Sequence, residues 1–204
     1  LPPRPRITDL RGCGNLRFHP KCWYRPDADD PPGTAEAFPA LIAAVRSNDG
    51  NLTGVHRTWL DPTGSGKAAI ATPRRAMGDL LGHGVRFGQS GSVMIAGEGI
   101  ETMLSLRQIL PQMPMIAALS AAHLAALQFP LDLRRLYIAR DNDLAGRNAA
   151  ATLADRAQAI GVETLMLDAK LGDFNDDLRQ IGREAIQADV RVQLSPEDAE
   201  QFIS

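Results

Sequence analysis

The second half of the chain alternates short apolar runs with segments of helical period. The apolar runs predict strands, at 93–96, 115–119, 133–139 and 162–167. Helices are predicted after each of them, at 100–110, 121–127, 144–160 and 175–181. Strands that alternate with helices imply right-handed crossovers. We therefore expect an α/β fold over 91–190, a Rossmann-type, mainly parallel four-stranded sheet with helices on both faces.

The first ninety residues follow a different pattern. Strands are predicted at 40–46 and 54–60, joined by the hairpin turn 47–50. The segment 61–67 (DPTGSGK) lacks the first glycine of a phosphate-binding loop and is interpreted as a turn. We expect a small α+β subdomain over 1–90, and a C-terminal tail over 191–204.

Composition narrows the class of protein only a little. A hydrophobic fraction of 44% suffices for a core, and the net charge of −2 does not by itself indicate a nucleic-acid binder. The two cysteines are too few for a disulfide scaffold, so we expect a cytoplasmic location. No stretch approaches the about 20 apolar residues of a membrane span, and we expect no membrane partner. The chain begins at Leu1, which is typical of a fragment.

Acidic residues follow three of the four predicted strands. Glu98 lies between two glycines after the first strand, Asp141 and Asp143 follow the third, and Asp173 lies after the fourth. Ligands of such sheets bind outside the carboxyl ends of the strands. Carboxylates gathered there repel one another unless a cation is present, and Mg²⁺ is a hard ion that oxygen ligands hold. Each acid alone could instead be a helix N-cap or a solvated loop residue.

Three segments resemble the motif series of the Toprim family, in order and in spacing. They are 98–101 (EGIE), 141–150 (DNDLAGRNAA) and 172–176 (GDFND). The likeness extends over about 92–182 and is strongest to bacterial and phage primases and to primase–helicases of mobile elements. Many primases carry an acid four residues after the first glutamate, where this chain has Thr102. Glu101 stands one residue earlier, so the outer metal shell is expected to differ.

The resemblance implies a role for each acid. Glu98 would be a metal ligand or a general base toward the attacking hydroxyl. Asp141 and Asp143 would hold Mg²⁺ or Mn²⁺, and Asp173 would complete the cluster. The implied substrates are a single-stranded DNA template and ribonucleotides, used for RNA primer synthesis. A helicase or a zinc-binding module is the implied partner, in the same chain or another.

Several basic residues are candidates for binding nucleotide or nucleic acid. The first half loosely resembles the N-terminal part of a primase RNA polymerase core, whose basic residues face the template. If its basic series shares one face, the series would follow a nucleic-acid backbone; otherwise it is a solvated surface. Two further candidates lie beside the acidic motifs. The complete set is Arg57, Lys67, Arg74, Arg75, Arg147 and Lys170.

Other functions remain as alternatives. The same motifs serve metal-dependent nucleases of the Toprim family, and a non-catalytic nucleic-acid-binding module of a helicase–primase is a third possibility. A topoisomerase needs a nucleophilic tyrosine, and Tyr137 falls inside a predicted strand while Tyr24 is the only other one. Cys13, His19 and Cys22 have an unusual spacing and no evident fourth ligand, so no zinc site is expected.

Overall fold

A four-stranded antiparallel sheet forms the N-terminal part of the computed structural model, which describes residues 14–203. Its strands follow one another in the order of the chain: β1 (Leu16–Trp23), β2 (Ala37–Arg46), β3 (Leu52–Trp59) and β4 (Arg74–Gly78). The predicted hairpin joins β2 to β3, and Gly50 takes the positive φ (80°) of its turn. No helix occurs between residues 14 and 99, so the expected α+β subdomain is a β subdomain within the described chain.

The second sheet has five strands and is mainly parallel. It contains β5 (Val85–Phe87), β6 (Val93–Gly97), β7 (Met115–Ala117), β8 (Arg135–Arg140) and β9 (Glu163–Asp168). Their spatial order is β5-β7-β6-β8-β9. The four predicted strands are confirmed and run parallel, whereas β5 pairs antiparallel with β7 at one edge. The predicted count of four strands was wrong because three residues are too few to show a period.

Helices cover both faces of this sheet, as predicted. They are α1 (Ile100–Arg107), α2 (Ala121–Ala125), α3 (Leu144–Gln158), α4 (Phe174–Gln180), α5 (Arg183–Gln193) and α6 (Pro196–Phe202). The α2–α3 pair packs on one face, where the alanines of α3 allow close approach. Helices α1, α4, α5 and α6 pack on the other face. None of the helices in residues 14–203 has the length and apolar character needed to span a lipid bilayer.

Residues 191–203, expected to be a tail, belong to the core of the second sheet. Helix α5 runs through residue 191, and Phe202 and Ile203 join the main hydrophobic cluster. Asp198 on α6 is buried and accepts hydrogen bonds from Tyr137 Oη (2.6 Å) and Arg135 Nη1 (2.8 Å). Burial alone would raise the pKa of Asp198, but these hydrogen bonds outweigh it and lower the pKa.

The two sheets share one hydrophobic core. Ala43 and Val45 of β2 pack in the same cluster as Val85 and Phe87 of β5. The backbone joins the sheets as well, because the Arg46 N–H donates to Gly84 O at 3.0 Å. The carboxyl ends of the parallel strands consequently lie beside the N-terminal sheet, with a cleft between the two.

Candidate functional site

The loops after β6, β8 and β9 bring the predicted acidic residues together. Glu98 follows β6 directly, Asp141 and Asp143 follow β8, and Asp173 precedes α4. The second and third motifs are also joined by a backbone hydrogen bond from Asn142 N to Gly172 O (3.2 Å). All three motifs lie at the same edge of the sheet, where α/β folds bind their ligands.

Asp141 is at the electrostatic centre of this cluster. Burial, followed by the negative charges of Glu98, Asp173, Asp143 and Glu101 in that order, raises the pKa of Asp141 to about 6. Burial followed by the charge of Asp143 also raises the pKa of Glu98. Because like charges contribute to both shifts after burial, the acids are mutually destabilised when all are ionised.

Two of the acids also cap helices. Asp143 Oδ1 accepts from Gly146 N at 2.7 Å at the start of α3, and Asp173 Oδ1 accepts from Asp176 N at 2.7 Å at the start of α4. Both the interpretation as N-caps and the gathering of acids therefore hold for these residues. Each cap uses one carboxylate oxygen, and the positive helix ends partly offset the negative charge of the cluster.

The glycine in the second motif lets α3 approach Asp141. A Cβ atom at Gly146 would lie 2.9 Å from Asp141 O and 3.3 Å from Asp141 Cβ. Real side chains do not tolerate such distances without a shift of the backbone, so a glycine is needed here for steric reasons. The DNDLAG segment thus places Asp141 and the cap of α3 in one tight turn.

The acidic cluster fits a divalent cation. Asp141 Oδ1 is buried and has no hydrogen-bond partner within the described residues, an arrangement that costs free energy unless a cation meets it. In residues 14–203 no three acidic, imidazole or thiol side chains lie within direct coordinating reach of one point. Magnesium takes few protein ligands and keeps several of its waters, so this donor set suits a hydrated ion.

A cleft of about 910 Å³ separates the acidic edge from the N-terminal sheet. We call it the inter-sheet cleft. Its C-terminal wall contains Glu98, Glu101 and Leu104, and its N-terminal wall contains His56 and Thr58. Apolar side chains form much of the surface, with charged groups at the margins. Clefts of this size that combine an apolar surface with a few polar groups are typical ligand sites.

An ion pair crosses the inter-sheet cleft. Arg74 Nη2 on β4 donates to Glu101 Oε1 on α1 at 2.8 Å. His56, which is 8% exposed, lies beside this pair. Burial followed by the charge of Arg74 lowers the pKa of His56 to about 4, although the charge of Glu101 opposes both. His56 is therefore neutral at pH 7, and the positive charges that line the cleft belong to Arg74 and Lys67.

A strained turn holds the backbone of Glu98. Leu119, which follows β7, has a φ of 79°, a conformation rarely adopted by non-glycine residues. Its N–H donates to Glu98 O at 2.8 Å, and its side chain lines the cleft. This turn lies in the segment 117–121 (AALSA), whose other residues are all small. The turn positions the first acidic motif against the cleft.

The basic series of the first half divides between two faces of the N-terminal sheet. Thr58 pairs with Arg74 across β3 and β4, and Arg57 pairs with Arg75 one residue further along. Because side chains alternate along strands, these two pairs point to opposite faces. Arg74 and Lys67 line the cleft. Arg57 and Arg75 instead stack on Trp59, with guanidinium-to-ring distances of 5.0 and 5.8 Å.

The two basic candidates near the acids already have protein contacts. Arg147 Nη1 donates to Asn142 O and Asn142 Oδ1, both at 3.1 Å. Lys170 Nζ lies 2.5 Å from Asp189 Oδ2 on α5. Asp177, which the sequence analysis did not single out, is buried and accepts from the backbone N–H groups at 170 and 171. It shapes the loop that carries Asp173.

The two tyrosines are relevant to the topoisomerase alternative, and Cys22 and His19 are relevant to a zinc site. Tyr24 and Tyr137, the two tyrosines of the chain, are both fully buried and hydrogen-bonded. Neither is accessible as a nucleophile, which argues against a topoisomerase. Cys22 is a buried free thiol and His19 Nδ1 accepts from Lys21 N, while Cys13 lies outside the described residues.

His56 and Leu119 are site residues that sequence reasoning did not identify. The period-2 pattern of β3 marks His56 as facing one side, but only the packing of the two sheets makes that side a cleft. The positive φ of Leu119 has no signal in a sequence read alone, since leucine is not a residue typical of that conformation.

Family models match two parts of the chain. The model described as a Toprim domain matches residues 93–184, and a domain of unknown function, DUF7146, matches residues 4–87. No curated protein is significantly similar in sequence. The first match contains the whole N-terminal sheet and also β5, the edge strand of the second sheet.

Solved structures of primase domains share the fold. A DNA primase domain from Pseudomonas aeruginosa has a TM-score of 0.55 at 15% identity, with 87% of this chain and 65% of that chain covered. The primase fragment of the bacteriophage T7 primase–helicase has a TM-score of 0.54 at 16% identity, with 79% and 64% covered. The RNA polymerase domain of Mycobacterium tuberculosis primase in complex with double-stranded DNA has a TM-score of 0.53 at 18% identity, with 86% and 66% covered. The chain thus spans slightly less than two thirds of each.

Proposed function

Residues 93–184 form a Toprim domain, and from this premise we propose that the chain is the catalytic core of a primase-like protein. It would synthesise short RNA primers on single-stranded DNA by metal-dependent nucleotidyl transfer. The observation that carries the proposal is the acidic cluster around Asp141, whose member Glu98 lines a cleft that Arg74 and Lys67 line from the other side. The likeness to primase domains of known structure supports the same reading at the level of the fold.

In this proposal Asp141, Asp143 and Asp173 hold Mg²⁺ or Mn²⁺. The unpartnered Oδ1 of Asp141 supplies a ligand oxygen, and the two capping aspartates each retain one oxygen for the ion or its waters. When bound, the metal would lower the pKa of the attacking hydroxyl and neutralise charge on the triphosphate.

The remaining polar groups handle the proton and the phosphates. Glu98 lines the cleft, and burial followed by the charge of Asp143 raises its pKa, which makes its carboxylate a better proton acceptor; we assign it the role of general base toward the primer 3′-hydroxyl. Arg74 and Lys67 on the facing wall meet the anionic triphosphate, with Arg74 exchanging Glu101 for phosphate oxygens. The apolar surface between them accommodates the nucleobase and ribose.

A partner module is part of the proposal. The relatives include a primase–helicase and an Aquifex aeolicus primase described with zinc-binding and RNA polymerase domains. We infer that a helicase or zinc-binding module works with this chain in the same way, and that the protein acts in the cytoplasm.

Primer synthesis on a single-stranded template tests this function. The chain is incubated with labelled ribonucleotides and Mn²⁺, beside Asp141→Ala and the control Asp132→Ala, whose residue is exposed and outside the cluster. We expect template-dependent RNA from the wild type and the control, and none from Asp141→Ala. Full activity of Asp141→Ala would refute the metal role. Metal-dependent degradation of DNA without nucleotides would instead identify a Toprim nuclease.

A further inference from the structure

A second, smaller pocket of about 220 Å³ lies at the opposite end of the second sheet. It is lined by Asn15, Arg86, Gly88, Gln89 and Arg107, among others. β5 runs antiparallel to its neighbour, so its last residue pairs with the first residue of β7. Helix α1 likewise begins beside the acidic cluster and ends at this pocket, roughly 12 Å away along its axis. We call this the arginine pocket.

The positive charge of the arginine pocket has no carboxylate partner in residues 14–203. Arg107 Nη1 is buried without a hydrogen-bond acceptor, and no ion pair of Arg107 occurs there. The guanidinium of Arg86 donates only to neutral acceptors, on Ser47, Asn48 and Ser90. Burial alone lowers the pKa of Arg86, with no contribution from a neighbouring acid.

A third arginine adds to the positive potential. Arg46 Nε donates to Asn15 Oδ1 at 2.7 Å, and Asn15 Nδ2 donates in turn to Arg86 O at 2.9 Å. The asparagine thus connects two arginines without neutralising either. A chain with a net charge of −2 contains enough acids to pair these arginines, yet places none at the pocket within its described residues. Buried cations are costly unless an anion or hydrogen-bond acceptors meet them.

The backbone beside Arg107 carries N–H groups with no backbone acceptor in the part of the chain that the structure describes. Gly88 has a φ of +84°, and a Cβ there would lie 3.8 Å from Arg107 Nη1. The N–H groups of Gly88 and Gln89 donate to no backbone acceptor within the described chain. Backbone N–H groups beside guanidinium groups are the donors that bind tetrahedral oxyanions.

We propose that the arginine pocket binds a phosphate group, at a site separate from the inter-sheet cleft. The same chemistry serves a phosphate of a nucleic-acid backbone and a free pyrophosphate or nucleotide phosphate. On a nucleic acid the pocket anchors the strand at the end of the sheet opposite the acidic cluster. With a free phosphate it is an effector site. Arg107 supplies the unpaired donor in either case.

Titration of pyrophosphate in EDTA tests the site independently of any primase activity. Without a divalent cation the acidic cluster repels the ligand, so the heat of binding reports basic sites, and its dependence on Arg107 separates the arginine pocket from Arg74 and Lys67 of the inter-sheet cleft. We expect the wild-type chain to bind, and Arg107→Gln to bind at least about tenfold more weakly because a charge-assisted donor is lost. Arg107→Lys, which keeps the charge, should lie between the two. Circular dichroism confirms that each variant is folded.

Arg134→Gln is the matched control. Arg134 is exposed at the same end of the sheet, donates to Ser92 Oγ at 3.4 Å, and lies outside the pocket. It should bind pyrophosphate as the wild type does. Absence of binding by the wild type, or equal losses in Arg134→Gln and Arg107→Gln, would overturn the proposal.

A second titration identifies the source of the phosphate. A fluorescein-labelled oligothymidylate is titrated under the same conditions, followed by fluorescence anisotropy. Weaker binding to Arg107→Gln than to Arg134→Gln supports a backbone phosphate, and equal binding with loss of pyrophosphate binding supports a free phosphate. Either result stands even if primer synthesis is never observed.

Discussion

The two walls of the inter-sheet cleft respond to burial in opposite directions. Beside Glu98 of the C-terminal wall, burial and neighbouring acids raise the pKa of Asp141 to about 6. On the N-terminal wall, burial lowers the pKa of His56 to about 4. Both changes favour the neutral form of the side chain, but several like charges lie together only on the side of the acidic cluster. The difference is one of charge: the carboxylates on one side repel one another, whereas on the other side Arg74 is paired with Glu101 and His56 is neutral.

Substitutions in the acidic cluster around Asp141 should give the largest effect, a loss of metal binding. We expect Asp141→Asn/Asp143→Asn to weaken Mn²⁺ binding by at least about a hundredfold, measured by isothermal titration. Asparagine at 143 keeps an oxygen that caps α3, so the fold is retained and the loss reports charge. Asp132→Asn, which removes one exposed carboxylate outside the cluster, should leave binding unaltered. Unchanged binding by the double variant would show that the metal does not bind at these two carboxylates.

His56 on the N-terminal wall should make the stability of the protein depend on pH. Because the pKa of His56 falls from 6.5 to about 4 on folding, the unfolded chain binds the proton more tightly between these values. The stabilising contribution is complete above pH 6.5 and is lost as the pH falls toward 4. Urea unfolding should show the wild type losing about 3 kcal/mol relative to His56→Gln over that window. Parallel pH profiles of the two proteins would contradict a buried neutral histidine.

Arg74 and Arg75, which are neighbours on β4, should give the smallest effects, and these effects should differ in kind. Arg74→Gln should raise the KM for ribonucleotides roughly tenfold, because a cation facing the cleft is lost. Arg75→Gln should lower the melting temperature instead, since Arg75 donates to Tyr24 Oη and Asp27 at 3.1 Å on the opposite face. Steady-state kinetics below both melting temperatures separates them. Equal KM values for the two variants would show that ribonucleotide binding does not depend on which face of the N-terminal sheet the arginine occupies.

The sequence predicted the parallel sheet better than the antiparallel one. Buried parallel strands are continuous apolar runs, and the helices between them show a clear period. Strand β1 was missed because a bulge between His19 and Cys22 breaks its alternation, and β4 because nearly all of its residues are exposed. Edge strands with no buried face lack the pattern that reveals a strand.

The site was predictable where it depends on strand ends and unpredictable where it depends on packing. The carboxylates at 98, 141, 143 and 173 follow strands that their own sequence reveals. Consecutive residues such as Arg74 and Arg75 must face opposite sides of a strand, so a shared surface for the whole basic series fails once β4 is recognised. The position of His56 against the acids depends on how two distant sheets meet.

The bridge between Arg46 and Gly84 has a consequence for how the molecule unfolds. It ties β2 to the residue before β5, and β5 lies inside the first matched segment although it pairs with the second sheet. The boundary between the two family matches is therefore not a boundary in the fold. Residues 93–184 alone would lose an edge strand and the helix that buries Tyr137. Because the two sheets share a hydrophobic cluster and this bridge, we expect them to unfold as one cooperative unit.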